Sequence, residues 1–147
     1  MEGNRTVGQV LQEKGRAVWT TKPDMPVFEA LKQMAQKNVG ALVVVERDQV
    51  LGIFSERDYA RKIILAGKSS KVTPVEEIMS TEVVSVGAST TVRECLSLMT
   101  DHRVRHLPVL SDDRLVGVIS IGDAVKSIIR EQEYLIEQLQ TYIAGPL

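Results

Sequence analysis

The sequence predicts an α/β fold (α+β in its small mixed sheets) made of two tandem β-α-β-β-α units. Three observations carry this. Shifted by 65 positions, the 147-residue chain matches itself without a gap from Val18 to Ala60, with 12 identities in 43 aligned positions. Unrelated stretches would share roughly 3 at ordinary residue usage. Within each copy, short β-rich runs alternate with apolar stripes at helical spacing. The composition, 44% apolar and 25% charged, belongs to a chain that folds around a core.

Each copy reads the same way. A short apolar strand (Ala17 to Thr21; Val83 to Val86) runs into a turn-prone stretch, Lys22-Pro23-Asp24 or Gly87-Ala88-Ser89. A helix follows at 27–37 and 92–101, because Val27, Ala30, Leu31, Met34 and Val92, Cys95, Leu96, Met99 each form one apolar stripe. Thr91-Val92-Arg93-Glu94 has the pattern of a capping box and marks where the second of these helices starts. Two β-rich runs then flank a four-residue polar turn: Ala41 to Val45 and Val50 to Phe54 around 46–49, Leu107 to Leu110 and Leu115 to Ile119 around 111–114. Such pairs predict hairpins. A strand–helix–strand crossover followed by a hairpin requires one parallel and one antiparallel pairing, so the sheets are mixed. A closing helix is expected over 56–65 and again over 123–143, stopped by Gly145-Pro146. The boundaries predicted are a first unit at 7–66, a linker at 67–74, a second unit at 75–130 and a C-terminal helical extension at 131–147. The match also reaches back to pair Val7 with Val75 and Val10 with Ile78.

Composition excludes several functional classes. Net charge is −1, without the basic excess of a general nucleic-acid binder. The longest apolar run, Ala41 to Val45, is far below the ~20 residues of a membrane span. Residues 1–10 lack an apolar stretch of signal-peptide type. A single cysteine, Cys95, rules out an internal disulfide framework, and its place on the helix stripe marks it as core. These features predict a cytoplasmic protein in a reducing compartment, with no nucleic-acid or membrane partner. His102 and His106 have helical ligand spacing, but His106 opens a strand and no third ligand accompanies them, so no metal is expected. No nucleophile–base pair or cofactor fingerprint is present, and the chain is read as non-enzymatic. Charge is uneven: residues 1–74 carry 12 basic and 8 acidic side chains, residues 75–147 carry 6 and 11. This is consistent with a solvated surface or with an anion site weighted to the first half.

Both copies end their last strand with Gly-apolar-x-Ser-x-x-Asp: Gly52-Ile53-Phe54-Ser55-Glu56-Arg57-Asp58 and Gly117-Val118-Ile119-Ser120-Ile121-Gly122-Asp123. With Val18-Trp19-Thr20-Thr21, Val83-Val84-Ser85-Val86 and His106-Leu107-Pro108-Val109, the chain over about 7–130 resembles a pair of CBS domains, the module named for cystathionine β-synthase. The resemblance implies two units about a pseudo-twofold axis, with clefts that take adenosine-bearing ligands: AMP, ADP, ATP, NAD(H) or S-adenosylmethionine. It also implies dimerisation, and a regulatory role in signal transduction with a protein partner the sequence does not name.

The residues carry their own chemistry. Ser55 to Asp58 and Ser120 to Asp123 lie where a strand becomes a helix, and a helix start exposes unpaired N–H groups and partial positive charge. A carboxylate there can accept from both hydroxyls of a ribose. The same pattern is also nearly a capping box, so closing the helix end is an equally direct reading. By the resemblance, Asp58 and Asp123 hold ribose with Ser55 and Ser120 beside them. Thr20, Thr21 and Ser85 begin the clefts; Val39, Gly40, Ala41, Leu107 and Pro108 line them. Phosphate would meet Arg57 and Arg61 from the first copy, with Lys62 adjacent, and Arg103, Arg105 and His106 from the second, since arginine forks suit phosphate oxygens. Gly122 stands where the first copy has Arg57. A homodimer is expected, because the four helices carry more apolar stripe than two small sheets cover; the stripe Ile128, Ile129, Leu135, Ile136, Leu139, Tyr142 and Ile143 packs on its own subunit or on a second. The alternative to a nucleotide sensor is a dimerisation scaffold with degenerate clefts.

Overall fold

A computed structural model describes residues 5–15 and 17–144. The elements run α1 (Val7–Lys14), β1 (Thr20–Thr21), α2 (Val27–Lys37), β2 (Ala41–Glu46), β3 (Gln49–Ser55) and α3 (Glu56–Tyr59), then a π-helical turn at Ala60–Ile64 and a 3-10 turn at Val75–Glu77. They continue as α4 (Val92–His102), β4 (His106–Ser111), β5 (Arg114–Ser120) and α5 (Ile121–Ala144). The chain forms two compact units, one holding 17–83 with 112–116, the other 5–15, 84–111 and 117–144.

In the first-repeat unit the sheet order is β1-β2-β3, parallel then antiparallel, as a crossover followed by a hairpin demands. The α2 stripe packs on it: Val27, Ala30 and Met34 meet Leu42, Val44, Phe54 and Ile63, with Val75 and Ile78 completing the core. The second-repeat unit buries the same positions, Val92, Cys95, Met99, Leu107, Val109 and Ile119, together with Val7, Val10 and Leu11.

The segment ahead of each repeat does the same job in a different unit. Val75 N–H donates to the Met25 carbonyl at 2.8 Å, Glu76 N–H to Pro23 at 2.9 Å, and Val27 N–H to Thr73 at 2.9 Å. Val7 N–H donates to Thr90 at 2.8 Å, Gly8 N–H to Ala88 at 2.9 Å, and Val92 N–H to Arg5 at 2.8 Å, the same three bonds carried over. The two segments then part. Residues 75–77 make one 3-10 turn, after which Ser80 pairs with Ile53. Residues 7–14 form a two-turn helix, started by a Thr6–Gln9 capping box.

The expected strand over Val83 to Val86 is reduced to a single parallel bridge, Val86 to Val109. In the first-repeat unit Val43 N–H donates to the Trp19 carbonyl at 3.3 Å. The position matching Val43 is Pro108, which has no N–H to give. β1 is likewise shorter than Ala17 to Thr21. The hairpin turns are tighter than expected, two residues each, with Arg47 and Asp48 at φ 52° and 65° and Asp112 and Asp113 at 51° and 63°. Positive φ at both central residues gives the twist that paired strands require. The helix expected over 56–65 changes pitch after Tyr59, its Leu65 N–H reaching back to Ala60 at 3.2 Å. α5 starts at Ile121, and the expected stop at Gly145-Pro146 lies outside the described residues.

Candidate functional site

Ser55 is the N-cap of α3 with extended backbone, and its Oγ accepts from Asp58 N–H at 3.2 Å. Asp58 Oδ2 returns the bond by accepting from Ser55 N–H and Oγ–H, each at 3.0 Å. Ser120 and Asp123 repeat this: Asp123 N–H donates to Ser120 Oγ at 3.0 Å, and Ser120 N–H to Asp123 Oδ2 at 2.9 Å. Both motifs are therefore capping boxes. One carboxylate oxygen of each is spent on the cap, and the two side chains are only 14% (Asp58) and 22% (Asp123) exposed. Each helix start is also tied to the loop before its hairpin: Glu56 N–H donates to the Gly40 carbonyl at 3.1 Å, Ile121 N–H to that of Arg105 at 2.8 Å. This fixes Val39-Gly40-Ala41 beside Asp58, and Val104-Arg105-His106 beside Asp123.

A lysine meets each carboxylate, and the two come from different places. Lys62, one turn along, lies 3.4 Å from Asp58 Oδ1 and donates to the Ile78 carbonyl at 3.1 Å. Lys14, at the end of α1, lies 2.6 Å from Asp123 Oδ2 and donates to the Val118 carbonyl at 2.9 Å. Burial pushes the Asp123 pKa up, but the Lys14 ammonium and the Ser120 donors outweigh it and hold the group below its ordinary 3.8. Sequence reasoning did not single out Lys14. The Thr6-x-x-Gln9 box was the available signal for the helix that carries it.

The other expected contacts fall as follows. Thr20 and Thr21 form β1, with Thr21 buried and its Oγ1 unpartnered among the described residues. Ser85 is exposed, whereas Leu107 and Pro108 are buried in β4. Arg57, Arg61 and Arg105 are exposed, as a phosphate contact requires. Arg103 ends α4 in the left-handed region at φ 56°, where Asn38 ends α2 at 54°. A long side chain such as arginine's carries strain there that asparagine largely avoids. His106 is pushed below its ordinary 6.5 by burial; Asp123 pulls it up, and Lys14 and Arg105 push it further down. Any fall in phosphate affinity caused by its deprotonation therefore lies below pH 6.5, and the ring is neutral at pH 7. Burial raises the Cys95 thiol to about 11, as befits a core residue. Among the described residues no group of three or more His, Cys, Asp or Glu is placed to hold a metal ion. No described helix is long and apolar enough to cross a membrane.

The C-terminal half of α5 does not pack on the chain's own core. Ile129, Ile136, Leu139 and Ile143 are 49%, 54%, 52% and 81% exposed.

Two repeats with matched cores, each closing its hairpin on a serine–aspartate box beside a pinned loop, define a tandem α/β module whose polar groups gather at the strand-to-helix junctions. The chain belongs to the CBS-domain family, whose model matches residues 7–65 and 75–130. It is 43% identical over 150 residues to the mitochondrial CBS domain-containing protein CBSX3 of Arabidopsis thaliana, covering 95% of this chain and 72% of that one. A solved structure from Burkholderia ambifaria MC40-6, provisionally described as a signal-transduction protein with CBS domains, is 51% identical with a TM-score of 0.82, covering 86% of this chain and 96% of that one. The CBS-domain crystal structure NE2398 is 46% identical, also with a TM-score of 0.82, over 85% and 98% of the two chains. The chain is thus a CBS-domain pair, a generally regulatory kind of module.

Proposed function

We propose that the protein is a non-enzymatic sensor that binds an adenosine-containing nucleotide at Asp58, at Asp123 or at both, and signals through a change in conformation or partner affinity. The observation that carries this is the pair of half-buried carboxylates, each with one oxygen committed to the cap of a helix whose first N–H is tied to the loop before its hairpin. A ribose offers two vicinal hydroxyls to such an acceptor. The lysine at each carboxylate is a cation within reach of the first phosphate. Arg57 and Arg61 add charge at the first site, while Gly122 leaves the second without the counterpart of Arg57.

The protein acts as a homodimer in this reading. The exposed apolar face of α5 is the observation for it, and burying such a face is the ordinary reason for one. The same face supports a second reading, a dimerisation scaffold whose carboxylates stay closed by their lysines. A reducing compartment, cytoplasmic or like that of the mitochondrial relative, suits the lone thiol.

A thermal-shift and calorimetric panel of AMP, ATP, NAD, NADH, S-adenosylmethionine and adenosine separates the two readings, since a ligand of the folded state raises its stability by RT ln(1 + [L]/Kd). Asp58→Asn and Asp123→Asn keep an oxygen for the cap but remove the charged acceptor. Binding should weaken by about 1.5–3 kcal/mol at whichever site is used. Affinity unchanged in both variants refutes the ribose assignment, and no response to any ligand favours the scaffold.

A further inference from the structure

The first-repeat unit carries an apolar groove on its helical side. Between α2 and the segment formed by α3 and the π-helical turn, Leu31, Met34, Ala35, Tyr59, Ala60 and Ile64 line a space of about 590 Å³. Ile63 is buried in the core, whereas Ile64, next along the π-helical turn, is 58% exposed. Such changes of helical pitch are frequent at functional surfaces. Phe28 stands one turn before Leu31, so Phe28, Leu31 and Ala35 form a stripe at i, i+3 and i+7.

The two ends of the groove differ in charge. At the start of α2, the Lys32 and Lys71 ammonium groups each lie 5.8 Å from the Phe28 ring. Lys32 has Glu29 at 3.6 Å, an exposed pair of little strength, and Lys71 has no ion pair among the described residues. At the other end Asn38 and Glu56 complete the lining. The occupant that fits is an amphipathic helix with apolar anchors at i, i+3 and i+7, acidic at one end and uncharged at the other.

The second half of α5 has this pattern. Ile136, Leu139 and Ile143 are exposed and spaced i, i+3, i+7, so both stripes cover about 10 Å of helix. Residues 131–144 hold Glu131, Glu133 and Glu137, no lysine or arginine, and no charged side chain after Glu137. With the acidic end at Lys32 and Lys71, the uncharged stretch 138–144 falls beside Glu56. Pairing two α5 ends with each other would instead gather like charges, since this stretch brings no cation to either side. The second repeat does not repeat the rim: shifted by 65, Phe28, Lys32 and Ala35 become Arg93, Ser97 and Thr100.

We propose that this groove seats the second half of α5 from another copy of the chain. The contact is head-to-tail: the groove of one copy takes the helix of its partner, through apolar anchors and a match of lysines to glutamates. The inference rests on the homodimer reading above and is independent of the nucleotide reading.

The test uses the full chain, a groove variant (Ala35→Glu with Ile64→Glu) and a helix variant (Ile136→Glu with Leu139→Glu), all at exposed positions. Melting curves followed by circular dichroism check that each is folded. Light scattering over a dilution series should show the parent associating and each variant alone weakened by roughly tenfold or more. An equimolar mixture of the two variants should recover a one-to-one complex, because one supplies an intact helix and the other an intact groove. In a separate chain Lys32→Glu with Lys71→Glu should weaken association, and adding Glu133→Lys with Glu137→Lys should restore it; this set stays decisive if a groove substitution unfolds the chain. A groove variant that associates like the parent overturns the proposal, as does a mixture that stays apart or a charge exchange that restores nothing. Those results leave the dimer reading standing if the parent associates. A parent that is monomeric throughout overturns both.

Discussion

Gly52 and Gly117 occupy the same place in the two repeats, yet alanine should be tolerated very differently at each. A Cβ on Gly52 would stand 2.6 Å from the Ser80 carbonyl oxygen and 2.9 Å from Met79 Sδ. That carbonyl accepts from Ile53 N–H at 3.0 Å, while Ser80 N–H donates to the Ile53 carbonyl at 2.9 Å. Relief requires backbone to move away from backbone, so both bonds of the bridge stretch. Overpacking of this kind costs about 1–3 kcal/mol, and each weakened bond adds up to about 1 kcal/mol. Restricting the unfolded chain returns about 0.4–1 kcal/mol. Gly52→Ala should therefore lose about 2–3 kcal/mol, or roughly 4–12 °C in Tm for a chain of this size. On Gly117 the nearest atoms to the new one belong to the Leu11 side chain, its methyl groups at 2.8 and 2.9 Å and its Cγ at 3.4 Å. A leucine terminus can rotate aside, so the expected loss is under about 1.5 kcal/mol. Urea unfolding of both variants, with slopes equal to the parent's, measures the difference. Equal losses, or a greater loss for Gly117→Ala, would refute the argument that the kind of neighbour, backbone or flexible side chain, sets the cost.

Other outcomes follow from single contacts. His106 is depressed below 6.5, so the unfolded chain binds the proton more tightly; stability should be complete above about pH 6.5 and fall as pH drops below it, and His106→Asn should flatten that part of the pH–stability curve. Cys95, fully buried with its thiol near 11, should resist a thiol reagent at pH 8 until denaturant exposes it; labelling of the native protein within minutes would contradict the burial. Thr91→Ala removes an acceptor for the Glu94 N–H and should cost about 1 kcal/mol in chemical denaturation, with no loss taken as refutation. Ile136→Glu with Leu139→Glu charges the exposed face of α5, so light scattering should show the proposed dimer reduced to monomer while helicity is kept; an unchanged mass would refute an interface on this face.

The repeat, the helices and hairpins inside each copy and the core stripes were legible in the sequence because they are periodic, local patterns, whereas the helix α1 ahead of the first copy was not read. Val27, Ala30 and Met34 point one way whenever the segment is helical, and Val92, Cys95 and Met99 do the same at the matching positions. The serine–aspartate boxes were legible for a similar reason: a cap forms within four residues, whatever lies around it. Local pattern also set limits on what could be read. The loss of a strand to Pro108 depends on which carbonyl faces it, and the two-residue turns depend on strand twist; both are known only once strands are paired. Lys14 and Asp123 stand 109 positions apart, so no spacing rule joins them, and their contact exists because the segment before the first repeat is built into the unit of the second. The sequence by itself determined what each segment becomes and which face it buries, since those follow from neighbours along the chain. Tertiary structure alone decided which cation sits on which carboxylate, that Ser127 is left without a hydrogen-bond partner among the described residues, and that the apolar face of the second half of α5 stays exposed, since these depend on where distant segments come to rest.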